Sequence, residues 1–99
     1  MANNKVRVTA DLTAQNTGTD WLQLRGQHNF FDISVSGIFV GNVSLQRKRP
    51  GEADAMARNV ETYTGNAEKL GEIMGHWDVR LFVASGAYTS GTISAELGS

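Results

Sequence analysis

The chain has 99 residues, 40% of them hydrophobic, with nine basic and ten acidic side chains, a net charge of −1 and no cysteine. The missing cysteines exclude disulfide frameworks, thiolate metal sites and cysteine nucleophiles, and the near-neutral balance leaves no global field to attract nucleic acid or an anionic membrane. Area scaling gives about 5,500 Å² exposed when folded against about 15,500 Å² unfolded, enough burial for one domain over residues 1–99 and too little for two.

The start, Met1 to Lys5, has no apolar signal-peptide core, and no apolar run reaches the roughly 18 residues that span a bilayer, so the expectation is a soluble chain made without export. Val6, Val8, Ala10 and Leu12 alternate with Lys5, Arg7, Thr9 and Asp11, the period of two that marks a half-buried strand. A polar link, Gln15 to Thr19, follows. It leaves residues 1–13 as either an edge strand or an amino-terminal arm able to pair with a neighbouring subunit. Trp21 to Arg25 reads as a short strand closed by Gly26.

Phe31, Ile33 and Val35 share one face opposite Asp32, Ser34 and Ser36, and Phe39, Gly41, Val43 and Leu45 alternate with Val40, Asn42, Ser44 and Gln46. The two runs read as a hairpin with Ser36-Gly37 at its apex. Pro50-Gly51 ends the second run in a turn, and Ala53 to Ala57, though helix-leaning, is too short for a helix and reads as a loop or single turn. Val60, Thr62 and Thr64 alternate with Asn59, Glu61 and Tyr63 as a further strand. In Ala67 to Met74 the helical spacing of Leu70, Ile73 and Met74 is opposed by Gly71, so the segment reads as an irregular strand and edge loop. Trp77, Val79, Leu81 and Val83 share a face, and Ile93, Ala95 and Leu97 close the chain. Seven to eight short strands define an all-β fold, a single antiparallel β-sandwich or jelly-roll-like domain.

The run from Phe31 to Arg47 resembles small β-sandwich virion proteins of tailed bacteriophages and prophages. In these a Ser-Gly-x-Phe-x-Gly-x-Val-x-Leu-Gln-Arg stretch precedes a Gly-containing loop, a Val-x-x-Tyr-Thr strand and a terminal Tyr-Thr-Ser-Gly-Thr strand. Ser36 to Arg47, Val60 to Thr64 and Tyr88 to Thr92 carry the pieces in that order, and the likeness covers residues 21 to 97. Where the family often has an Asp-Gly-Gly turn and an aromatic, this chain has Pro50-Gly51 and Met56. The resemblance implies a structural protein of the virion, made in the bacterial cytoplasm. Size favours a capsid decoration or cement protein that binds the major capsid protein or another virion protein, often as a homotrimer. A tail or head-fibre domain is the nearest relative of that reading.

Contact candidates follow from the strand faces. Phe30 and Phe82 lie opposite Phe31 and Leu81, so they point outward, either to an intersubunit patch or to a covering loop or arm. Val6 and Val8 join them on the first strand. Arg47-Lys48-Arg49, the one basic cluster, ends a strand; it either fits an acidic capsid patch or a phosphate, or is a solvated strand end that discourages edge pairing. A rival class, a carbohydrate-binding or adhesion module, would expose Tyr63, Tyr88 or Trp21 in one coplanar patch. His28 and His76 lack the partner spacing of a metal site. Glu68 and Glu72, with Glu61 near in sequence, suggest paired carboxylates, but so small a sandwich leaves little room for a glycoside cleft. The expectation is a protein that is not an enzyme, without catalytic, cofactor or metal residues.

Overall fold

Alternation of apolar and polar residues produces eleven strands in a computed structural model that describes residues 7–99. In chain order they are β1 (Arg7–Leu12), β2 (Thr17–Gly18), β3 (Leu22–Leu24), β4 (His28–Ser36), β5 (Phe39–Gly41), β6 (Val43–Lys48), β7 (Arg58–Tyr63), β8 (Ala67–Met74), β9 (Trp77–Val83), β10 (Tyr88–Gly91) and β11 (Ile93–Gly98). One 3₁₀ turn, Asp54–Met56, interrupts the β6–β7 connection.

The first sheet has the order β1-β11-β4-β8, and the second β9-β6-β7 with β2 and β3 both paired to β9. Thr17 pairs with Val83 and Leu22 with Val79, so β2 and β3 are two parts of one interrupted edge strand. The short β5–β10 ribbon stands apart from both sheets. The remaining eight strands cross between sheets in the double Greek-key order of a jelly roll. One core joins the facing surfaces, with Val35, Ile93 and Leu97 of the first sheet and Leu22, Val43 and Leu81 of the second all without solvent exposure. The radius of gyration, 12.9 Å, matches the roughly 13 Å expected for a chain of this size.

Three expectations change. Ser36-Gly37 is not a hairpin apex: β4 pairs with β11 and β8, whereas β6 pairs with β9 and β7, so the chain leaves the first sheet at Gly37 and reaches the second by way of β5. Alternation states which face of a strand is buried and leaves its neighbour unspecified. In β7 a bulge sets Leu45 against Glu61 but Gln46 against Asn59, leaving Val60 unpaired. The inserted residue reverses the phase, so Val60 is exposed and Tyr63 is buried.

The third change is β8, an unbroken eight-residue edge strand rather than an irregular one. Gly71 lies directly across from Phe31, and a Cβ there would sit 2.5 Å from Cζ of that ring. The ring therefore lies on bare backbone, and the glycine that opposes a helix is the one the strand pairing uses. The sequence also leaves residues 1–13 open between arm and edge strand. Arg7–Leu12 pairs with β11 of its own chain, and residues 1–6 lie outside the described part.

Candidate functional site

The outer face of the first sheet carries an apolar patch. Phe30 lies across from Glu72, so its diagonal neighbours on β8 are Leu70 and Met74, about 7–8 Å away and within reach of an aromatic ring. These three side chains are 67%, 90% and 68% exposed. Acidic groups border them: Glu72 pairs with His28 at 2.5 Å, Glu68 accepts from the Ser34 hydroxyl, and Asp32 and Glu96 flank Arg7. Phe30 fulfils its outward assignment. Helical spacing conceals Leu70 and Met74 in the sequence, although Leu70, Glu72 and Met74 also share strand spacing.

The other contact candidates fall elsewhere. Val8 is 5% exposed on the inner face of β1, so its side chain belongs to the core, and Val6 lies outside the described residues. Phe82 does face away from the core, but it is half-buried with the Arg80 guanidinium 4.1 Å above its ring.

β6 is an interior strand, so Arg47, Lys48 and Arg49 guard no sheet edge; Arg47 is half-buried, Lys48 buried and Arg49, just past the strand end, exposed, and all three stack on tryptophans. Lys48, buried, lies 4.8 Å over the Trp21 ring and donates to the Glu52 carbonyl at 2.7 Å and to Asp54 Oδ1 at 3.0 Å. Trp21 Nε1 donates to the same oxygen at 3.1 Å, and Arg80 lies 4.3 Å over the same ring. The Lys48 hydrogen bond holds the Asp54 carboxyl below its ordinary range, and burial pushes the Arg80 guanidinium down. Arg47 and Arg49 instead stack on Trp77, with Cζ 4.3 and 3.9 Å from the ring centroid. Five such contacts occur among the described residues, where about one is usual for this length, so the cations of the second sheet are ordered by aromatic rings.

Trp21, Tyr63 and Tyr88 do not form one platform. Tyr63 is buried against the core with its hydroxyl donating to Glu61 at 2.6 Å, whereas Trp21 lies beneath Lys48 and Arg80. Tyr88 is half-buried and donates to the Gly91 carbonyl at 2.7 Å. Burial, with the Glu61 contact, pushes the Tyr63 phenol well above its ordinary range.

Glu68 and Glu72 lie four strand residues apart, about 13 Å, which exceeds the spacing of glycosidase carboxyl pairs. His76 is exposed, while Asp78 is buried and accepts from Arg25 at 2.7 Å. Among the described residues no group of three or more acidic, histidine or cysteine side chains is placed to hold a metal ion.

The class defined by this geometry is an all-β jelly roll with an apolar patch on one face and stacked cations on the other sheet. No protein-family model, curated protein or solved structure matches the chain.

Proposed function

We propose that the chain is a structural assembly subunit that docks through the β4–β8 face, as a capsid decoration or cement protein of a bacteriophage virion would. The observation that carries the docking reading is the contiguous exposure of Phe30, Leu70 and Met74 on neighbouring strands. The virion assignment rests on the resemblance of residues 21 to 97 alone, since fold does not fix function.

Magnitudes favour a repeating assembly over a tight one-to-one complex. Burying the three side chains contributes about 1.5–3 kcal/mol each, against an association cost of about 4–15 kcal/mol. One patch therefore gives a weak contact, and repetition across a lattice makes it firm. The acidic border favours partner surfaces that carry basic groups.

Sedimentation velocity over about 5–500 μM, spanning the range of weak contacts, compares the full chain with Phe30→Ser/Leu70→Lys. Mass rising with concentration in the parent and constant in the variant is the expected outcome. Equal masses for both proteins at every concentration would overturn the assignment of this face to self-assembly.

A further inference from the structure

We infer that Arg47, Arg49 and Arg58, gathered at the Trp77 end of the sandwich, form a binding site for a dianionic tetrahedral oxyanion, a phosphate or sulfate group. The site does not rest on the docking reading.

Arg47 and Arg58 are direct cross-strand partners in the β6–β7 ladder, so their side chains leave the same face. Like charges placed this way repel. Arg47 and Arg49 both stack on Trp77, which keeps their guanidinium carbons within about 8 Å of each other. Nearby, Arg25 donates to the Trp77 carbonyl at 3.0 Å. Asp78, which holds Arg25, lies across from Lys48, whereas Arg47 lies across from Val79 on the other face, so the guanidinium groups gathered on the Trp77 side are those of Arg47, Arg49 and Arg58.

Among the described residues one carboxylate is paired with them. Glu52 Oε1 accepts the Arg49 backbone N–H at 2.7 Å and stands 3.8 Å from Arg58 Nη1. Arg47, Arg49 and Arg58 against Glu52 leave an excess of two positive charges. The nearby Arg25 is taken up by Asp78 at 2.7 Å. Among the described residues, Arg47 and Arg49 have no ion-pair partner. The intervening Lys48 is turned to Asp54 and Trp21 and adds nothing to this group.

The platform is fixed before any ligand arrives. Trp77 is 8% exposed, and its Nε1 donates to the Met74 carbonyl at 2.9 Å. A guanidinium stacked on a ring keeps its N–H edge free and oriented, which lowers the entropic cost of gripping an oxyanion with paired donors. The charge excess selects the ligand: a dianion neutralises the cluster, and a single carboxylate leaves it half-compensated.

Thermal unfolding of the full chain at constant ionic strength, with inorganic phosphate up to about 10 mM and acetate as the monoanion control, tests the site. Phosphate should raise the midpoint in proportion to the logarithm of its concentration above the dissociation constant, by about 4 °C or more at ten times that constant, with no rise from acetate. In Arg47→Gln/Arg49→Gln the rise should vanish. A phosphate response retained in that variant would overturn the site, since the arginines would then be acting only as packing on Trp77. No rise in the parent beyond that seen with acetate would overturn it equally. If the double variant does not fold, calorimetric titration of phosphate into the parent and into single Arg49→Gln, an exposed position, replaces it: weaker binding to the variant supports the site, and equal binding overturns it. An equal response to glucose 6-phosphate supports the site and identifies an ester on a larger molecule as the source, whereas a response to inorganic phosphate alone supports it and identifies the free ion.

Discussion

Leu81 and Leu70 are the same residue on two strands, yet truncating them should have opposite consequences. Leu81 is fully buried on β9, between β2/β3 and β6, with Leu45 directly across, whereas Leu70 is 90% exposed on the edge strand β8. Leu81→Ala removes buried methyl groups and leaves a cavity, at a cost of about 2–5 kcal/mol. For a domain of this size that lowers the thermal midpoint by at least about 8 °C. Leu70→Ala removes atoms already in water and should stay within about 0.5 kcal/mol of the parent. Urea unfolding followed by tryptophan fluorescence, with m unchanged, measures both losses on one scale. Total stability of such a domain is only about 5–15 kcal/mol, so Ile93→Val, also fully buried and worth about 0.5–1.5 kcal/mol, supplies a graded second reading if Leu81→Ala fails to fold. Equal losses from the two leucines would refute the assignment of inner and outer faces.

Two titrating groups yield further predictions. The Tyr63 phenol has a folded-state pKa raised by burial, so the native state holds that proton more tightly than the unfolded chain. Its contribution is complete below about pH 10 and declines as pH rises beyond it. Tyr63→Phe should therefore flatten the alkaline fall in stability, and an unchanged alkaline limb in urea titrations would contradict the burial of this ring. Asp54 has the opposite sign: its carboxyl is depressed chiefly by the Lys48 hydrogen bond, so its contribution is present above the ordinary carboxylate range of about 4 and fades as pH falls through the folded value. Asp54→Asn should reduce the acid dependence of the midpoint, read by thermal unfolding between pH 2 and pH 6, and an identical acid limb in both proteins would show that Asp54 is not linked to folding.

The all-β class and the inward faces of Val79-Leu81-Val83 and Ile93-Ala95-Leu97 were legible in the chain, because burying alternate positions is a local property of a pleated strand. Phe30 was legible as outward for the same reason. The patch around it was not, since Leu70 and Met74 fit helical and strand spacing equally until β8 is seen to pair with β4. Arg47 to Arg49 showed their charge in the sequence but not the aromatic rings that order them, because Trp77 is nearly thirty residues away and Trp21 nearly as far on the other side.

Composition and alternation by themselves determined an all-β chain without cysteine and the buried side of most strands. Only the tertiary structure decided that β4 and β6 belong to different sheets, that an inserted residue turns Val60 out and Tyr63 in, and that Phe31 covers Gly71. Those outcomes depend on which strand lies beside which. Strand pairing joins residues far apart in sequence, and a period of two carries no record of the partner.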